Sequence, residues 1–204
     1  MELQILYLSY THGVHRRLRN LPEADILVHS GDFTMSGSEA ETLDFLEWVC
    51  DLPYRHKVLI AGNHEASLYG AHLDGLDGNV HYLCGSGVEI EGLKFWGGPM
   101  FMDDCISGKQ EQLYAVIPED TDVLVTHTPP YGILNRDGSI LYSSWELLGR
   151  VRVIHPRLHL FGHIHKSHGK TSDGVTVFCN AAIMEEGYDN LNAPNLLSIN
   201  LLMV

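Results

Sequence analysis

The chain has 204 residues, a length that suits one domain with a sizeable core, so we predict a single domain over residues 1–204. Hydrophobic residues make up 45% and charged residues 19%, proportions that indicate an ordinary globular protein and not a disordered one. The formal net charge of −13 argues against a protein that coats nucleic acid through charge alone.

The sequence carries no signal for a membrane or for an oxidising compartment. No apolar run approaches the roughly 18 residues that a membrane span requires, and the first residues, with Glu2 in place of a basic segment, predict a strand instead of a signal peptide. The cysteines are scattered without a C-x-x-C pair, at Cys50, Cys84, Cys105 and Cys179. We therefore expect no disulfide framework and a reducing, cytoplasmic location.

Short apolar runs, each followed by a polar loop, predict five buried strands at 3–8, 25–29, 57–61, 122–126 and 158–161. Ser38 with Glu41 three residues later has the spacing of a capping box and predicts a helix over 38–50. Further helices are expected near 64–72, 108–115 and 143–151.

Hairpins are expected at 86–91 with 93–98 and at 169–172 with 175–179, and a last strand at 195–203. Strands and helices alternate early in the chain, whereas hairpins dominate later. This mixture predicts an α/β fold with two packed sheets flanked by helices.

Polar residues follow each of the five predicted strands. They are Ser9-Tyr10-Thr11-His12-Gly13, Gly31-Asp32, Gly62-Asn63-His64-Glu65, His127-Thr128-Pro129-Pro130 and Gly162-His163-Ile164-His165. Because strand ends in such sheets converge on one edge, these side chains are expected to meet there. Imidazole and oxygen ligands together suit divalent transition metals such as Mn, Fe, Zn or Ni. The glycines before Asp32, Asn63 and His163 would let the backbone turn tightly.

These motifs, in this order, resemble the calcineurin-like metallophosphoesterase superfamily, and the resemblance covers nearly the whole chain. The segments 27–34, 57–65 and 161–165 are similar to its small single-domain branch, the metallophosphoesterase-domain phosphodiesterases. The resemblance implies a four-layer α/β/β/α sandwich. It also implies hydrolysis of small phosphodiesters, including cyclic nucleotides, by a hydroxide that bridges two metals. A negative net charge is compatible with such a substrate because bound cations can invert the local field.

The resemblance also implies a role for each site residue. By position, Asp32 would bridge two metals, of which Mn is the first expectation. Asn63, His127 and His163 would complete the second metal, and His12 and His165 would hold the first. His64 would be the general acid for the departing alkoxide, with Glu65 orienting or polarising it.

One position departs from the family pattern. The first metal of the family also takes an Asp two residues before the histidine that corresponds to His12, and that position here is Tyr10. We favour a weakened first site with reduced activity. Alternatively, Tyr10 binds as phenolate and favours a ferric ion, as in the purple acid phosphatases, although their tyrosine would fall at Met35. In a third reading, Tyr10 swings away, and a water or another carboxylate replaces it.

The sequence leaves three functions open. The first is a metal-dependent phosphodiesterase, the second a catalytically weak nucleotide- or partner-binding protein that keeps the fold, and the third a phosphomonoesterase. No substrate-binding residue is assigned, and we expect loops 99–108, 131–143 and 184–194 to select the substrate.

Overall fold

The computed structural model describes residues 2–71, 73–184 and 191–201. The described part contains thirteen strands: β1 (Glu2–Leu8), β2 (Ile26–His29), β3 (His56–Leu59), β4 (Val80–Tyr82), β5 (Ser86–Ile90), β6 (Leu93–Gly98), β7 (Val123–Thr126), β8 (Arg136–Asp137), β9 (Ile140–Leu141), β10 (Leu158–Phe161), β11 (Gly169–Ser172), β12 (Val177–Asn180) and β13 (Asn195–Asn200). It also contains four α-helices: α1 (Glu39–Asp51), α2 (Met102–Ser107), α3 (Lys109–Ala115) and α4 (Trp145–Ile154).

Two large sheets organise these strands. The first has the order β13-β1-β2-β3-β4, and the second has the order β11-β12-β10-β7-β6-β5. The central pairs β1–β2, β2–β3, β6–β7, β7–β10 and β10–β12 are parallel. Parallel strands end at the same edge of a sheet, so the loops after β1, β2, β3, β7 and β10 lie together.

Three apolar layers hold the sheets and helices in place. The middle layer lies between the sheets and includes Ile5, Val58 and Leu160, all fully buried. A second layer lies where α1 packs through Phe45 on the first sheet, and a third where α4 packs through Leu147 on the second. The fold is thus an α/β sandwich with helices outside both sheets, as the sequence predicted.

The structure confirms most predicted elements and corrects some. Helix α1 begins after Ser38, and the two hydrogen bonds of the predicted capping box are present. The Ser38 hydroxyl accepts a hydrogen bond from the backbone amide of Glu41 at 3.3 Å, and the Glu41 carboxylate accepts one from the backbone amide of Ser38 at 3.4 Å. The helix predicted at 64–72 is wrong in extent, because the described residues 64–71 form only a 3-10 turn at Ala66–Leu68, and residue 72 lies outside the described part. The prediction at 108–115 corresponds to α3, which Gly108, at a left-handed φ of 74°, separates from α2.

Other departures are small. The last predicted strand extends to residue 203, whereas β13 ends at Asn200 and residues 202–204 lie outside the described part. Strand β4 and the β8–β9 hairpin were not predicted. Across the described ranges, no helix has the length and apolar character that a bilayer span demands.

Candidate active site

Five loops bring the predicted site residues to one edge of the sandwich. Asp32 is fully buried there. It belongs to two groups of possible ligand atoms, one with His12 and His64 and the other with His127 and His163. Within each group these atoms lie within 4.8 Å of one another. Asp32 is therefore the shared member of two adjacent clusters.

The histidines around Asp32 are held by backbone carbonyls. In four of them Nδ1 lies 2.8–2.9 Å from such an oxygen: His12 on Thr34, His64 on Met35, His127 on Ser30 and His165 on Met184. A carbonyl only accepts hydrogen bonds, so Nδ1 carries the proton and Nε2 is left to act as ligand or proton carrier. Sequence reasoning missed these carbonyls because they depend on backbone conformation, not on residue type.

The residues of the second cluster lie close together. His127 Nε2 lies 3.1 Å from Asn63 Oδ1 and 3.2 Å from Asp32 Oδ2. His163 Nδ1 is buried and has no hydrogen-bond partner among the described residues. Two oxygens and two imidazoles are a set of donors that suits a borderline divalent cation.

The protonation states of the site follow from burial and charge. Burial acts to raise the pKa of Asp32, but the charge and hydrogen bond of His127 outweigh it, so the pKa lies well below its usual value. For His127, burial lowers the pKa, yet the Asp32 carboxylate reverses the direction and the pKa is raised. Burial lowers the pKa of His12 to about 4 and that of His163 to about 3. Both imidazoles are thus neutral at neutral pH, as a metal ligand must be.

Backbone conformation explains the glycines at the site. Gly31 has a φ of 91°, which only glycine adopts without strain. Gly62 has no positive φ, but a Cβ there would come within 2.6 Å of His127 Cε1 and still closer to Asp32 Oδ1. The prediction that these glycines serve tight turns therefore fits Gly31, whereas Gly62 is required for space.

Four non-glycine site residues also have a positive φ: Tyr10 (63°), His12 (37°), Asp32 (59°) and His163 (65°). Such conformations cost on the order of 1–3 kcal/mol each for non-glycine residues and concentrate at functional sites. The clustering of this strain marks the same edge of the sandwich as the histidines do.

Glu65 ties two of the site loops together. Its fully buried carboxylate accepts hydrogen bonds from the backbone amides of Asp32 and Gly62, both at 2.7 Å. It also accepts hydrogen bonds from the backbone amide and the hydroxyl of Thr34, both at 2.8 Å. Burial and then the Asp32 charge raise its pKa, against the effect of these hydrogen bonds. The group that orients the His64 ring is the Met35 carbonyl. A catalytic role for Glu65 stays a prediction.

Tyr10 fills the space beside the first cluster. Its side chain is 7% exposed, and its ring meets those of His12 and His165 edge-on, with centroids 4.3 and 3.8 Å away. The His12 and His165 rings are parallel and 6.1 Å apart. The cluster around His12 contains His64 instead of the predicted His165. The tyrosine thus lies against both imidazoles that were expected to share the first metal.

Asn180 positions the His163–His165 loop, and sequence reasoning missed it. Its amide nitrogen donates to the carbonyls of Ile164 at 2.9 Å and Gly162 at 3.3 Å. The signal that could have found it is a polar residue that ends an apolar strand, β12, beside β10. Of the predicted substrate loops, 99–108 and 131–143 border the site, whereas residues 185–190 of the third lie outside the described part.

Comparison with known proteins identifies the family and the fold. The family model for calcineurin-like phosphoesterase matches residues 7–167. UPF0046 protein K07C11.7 of Caenorhabditis elegans is 36% identical over 91% of this chain and 71% of its own length. Human metallophosphoesterase domain-containing protein 1 is 33% identical over 88% of this chain and 66% of its own length. The solved structure of TT1561 from Thermus thermophilus has a TM-score of 0.64 at 14% identity, over 90% of this chain and 92% of that one, and supports the fold alone.

The family match and these relatives, together with the possible metal ligands at one edge of the sandwich, define a metallophosphoesterase. The chain belongs to the calcineurin-like phosphoesterase family and is accordingly a phosphoric ester hydrolase.

Proposed function

We propose that the protein hydrolyses small phosphodiesters, cyclic nucleotides among them, at a two-metal centre whose first site is weakened by Tyr10. The observation that carries the proposal is the position of Asp32, whose carboxylate is shared by two clusters of possible ligands. One carboxylate between two sets of imidazoles is the arrangement that a bridging ligand requires.

Six side chains would hold the metals. His12, Asp32 and His165 are assigned to the first, and Asp32, Asn63, His127 and His163 to the second. Mn is the first expectation, with Fe, Zn and Ni as alternatives that suit the same donors. When bound, two such cations would supply a nucleophilic hydroxide at neutral pH and neutralise charge on the phosphoryl oxygens.

His64 is proposed as the proton donor to the departing oxygen. Its side chain is partly exposed, and its ring lies 4.5 Å from that of His12, so it is open to solvent and lies beside the first cluster. The Met35 carbonyl accepts from Nδ1 in either protonation state, which holds Nε2 in one direction. As the phosphorus–oxygen bond breaks, the proton on Nε2 passes to the leaving alkoxide, and the imidazole becomes neutral.

The first test compares the protein with its Tyr10→Asp form on a chromogenic phosphodiester with added manganese. We expect turnover to rise about a hundredfold, which corresponds to about 3 kcal/mol of barrier. Equilibrium dialysis should show about one bound manganese in the parent and about two in Tyr10→Asp, because the second ligand set is complete without residue 10. Equal turnover of the two forms would show that Tyr10 does not impair the enzyme.

The matched control is Tyr10→Phe, which keeps the ring and removes only the hydroxyl. If Tyr10 merely fills the space, Tyr10→Phe behaves as the parent; if the phenolate binds a ferric ion, metal binding and turnover fall. His64→Asn and Asn63→Ala test the remaining roles, and unchanged turnover in both would show that these roles are misassigned.

The packing of Tyr10 against His12 and His165 also favours a second candidate, a nucleotide- or partner-binding protein with one metal and little turnover. Tight nucleotide binding without turnover in the parent would select it. Comparison of mono- and diester substrates separates the phosphomonoesterase alternative. We also infer a cytoplasmic location, which the four free cysteines support.

A further inference from the structure

A pocket with a volume of about 330 Å³ opens at the site edge, beside His163 and His165. This volume falls within the range of about 300–1,000 Å³ that is usual for ligand pockets. Of the described residues that line it, four carry an aromatic or imidazole ring: Tyr10, Tyr142, His163 and His165. The lining carboxylate, that of Asp137, is paired with Lys166 at 2.9 Å. The pocket therefore offers mainly ring surfaces to a ligand, and its acid is compensated.

Among these rings, Tyr142 leaves the most surface open. Its side chain is 42% exposed, whereas Tyr10 is 7% exposed and the two imidazoles are partly buried. The Tyr142 ring meets that of His163 edge-on, with the centroids 6.0 Å apart. Tyr142 thus lies beside an expected metal ligand and still has ring surface accessible to a substrate. Planar aromatic groups pair favourably with such a surface by stacking.

Hydrogen bonds on both sides of the β8–β9 hairpin hold Tyr142 in place. The Tyr142 amide donates to the Asn135 carbonyl at 3.1 Å. Asn135 is 2% exposed, and its Nδ2 donates to the hydroxyl of Ser143 at 2.8 Å. The residues just before β8 and just after β9 are therefore joined, and they fix the backbone from which the Tyr142 ring projects.

The hairpin is in turn tied to the loop that carries His163 and His165. The Ser167 hydroxyl donates to the Arg136 carbonyl at 2.8 Å and accepts from the Arg136 amide at 3.0 Å. The ion pair between Asp137 and Lys166 joins the same two segments. A two-stranded hairpin is marginally stable by itself, so these contacts are what set its position. Tyr142 is thus held in a defined place relative to the expected metal ligands, as a preorganised binding surface requires.

We propose that Tyr142 is a specificity-determining residue that stacks on a planar aromatic group of the substrate, bound in this pocket. His64, the proposed proton donor to the departing oxygen, lies beside the first cluster, whereas Tyr142 lies beside the second. The group on Tyr142 therefore belongs to the alcohol that the product retains. The inference rests on the proposed phosphodiesterase function, of which it specifies the substrate class.

The test compares two chromogenic esters, p-nitrophenyl benzyl phosphate and p-nitrophenyl cyclohexylmethyl phosphate. They share the leaving group and are similar in size, but only the benzyl group is planar and aromatic. We expect kcat/KM to favour the benzyl ester by about tenfold, or about 1.4 kcal/mol. Tyr142→Phe should keep this ratio. Tyr142→Leu, which keeps apolar bulk without the ring, should reduce it to about one.

The matched control is Tyr69→Leu, because Tyr69 is also 42% exposed but lines neither this pocket nor the other pocket at His163. This variant should retain the preference for the benzyl ester. If Tyr142 only fills space beside His163, Tyr142→Leu will show the same ratio as the parent, and the inference is overturned. Equal kcat/KM for the two esters in the parent would overturn it as well.

Binding is measured in parallel, so that the pocket is tested apart from catalysis. Calorimetry of the manganese-loaded protein with the O-benzyl and O-cyclohexylmethyl esters of methylphosphonate should give a similar preference, which Tyr142→Leu loses and Tyr142→Phe keeps. Equal affinity for the two analogues, or no measurable affinity for either, would overturn the inference. Selective binding of the benzyl analogue with no hydrolysis of either ester would instead remove the proposed phosphodiesterase function and leave the role of Tyr142 assigned.

Discussion

Replacing Glu65 with glutamine should destabilise the protein through its backbone contacts, whatever its part in catalysis. The carboxylate accepts four hydrogen bonds, two at each oxygen. In glutamine, one of the two oxygens becomes an NH2 group, which would face hydrogen-bond donors in either orientation of the side chain. Toward Asp32 and Gly62 it would leave two amides without an acceptor. Toward Thr34 it would leave one, because the Thr34 hydroxyl can rotate and accept instead.

The magnitude follows from that preferred orientation. One orphaned amide costs about 1–3 kcal/mol, and two bonds that change from a charged to a neutral acceptor lose about 1 kcal/mol each. Removal of a buried charge offsets part of this loss, since burial already raises the pKa of Glu65. We expect a net loss of about 2–4 kcal/mol, a large share of the 5–15 kcal/mol typical of a domain.

Urea unfolding at pH 7 with chelator present measures this loss without a contribution from bound metal. With a slope of about 1–3 kcal/mol per molar urea, the midpoint should fall by about 1 M or more. The control is Glu23→Gln, an acid elsewhere in the chain that is not fully buried. A loss below about 1 kcal/mol for Glu65→Gln, on the scale of a single ordinary hydrogen bond, would show that these contacts do not hold the site loops.

Three further predictions concern particular residues. Gly62→Ala should reduce metal binding measured by dialysis, because its Cβ would displace Asp32 and the His127 ring; unchanged affinity would contradict this. His159 is fully buried, and burial lowers its pKa to about 3. The neutral imidazole therefore supports the fold above pH 6.5, and this support is lost as pH falls toward 3. Between pH 7.5 and 5, the unfolding free energy of the parent should therefore fall by about 2 kcal/mol through His159 alone. His159→Gln should lack this part of the fall when unfolding free energy is measured against pH. Ser38→Ala should cost about 1 kcal/mol in urea unfolding and Ser38→Gly less, because a capping box begins α1; equal losses would argue against the cap.

Strands that are buried along their whole length were predictable from the sequence, whereas several short or exposed elements were not. Strands β2, β7 and β10 are buried along their whole length, so their apolar runs are continuous. Helix α2 has no buried residue, and hence no apolar periodicity to detect. The β8–β9 hairpin consists of two-residue strands with an exposed β9, too short for a pattern of alternation.

The same distinction applies to the site. The ligand types follow from which residues come after each strand, because topology alone brings those ends together. The Met35 carbonyl that orients His64 depends on a backbone path that residue types do not encode, whereas Asn180 was detectable only as a polar residue at the end of an apolar strand. The position of the Tyr10 ring likewise depends on three-dimensional packing.

The backbone around residue 10 explains why a restored aspartate should be effective. Backbone bonds from Tyr10 N to the Gly31 carbonyl, from His12 N to the Asp32 carbonyl, and from Gly13 N to the Phe33 carbonyl fix the loop at 2.8–3.1 Å. None of them involves the side chain of residue 10. The left-handed φ of 63° at this position is unfavourable for a bulky aromatic residue but better tolerated by aspartate. The loop therefore keeps a conformation suited to aspartate while it carries a tyrosine, so Tyr10→Asp would direct a carboxylate toward His12 without rearrangement of the backbone.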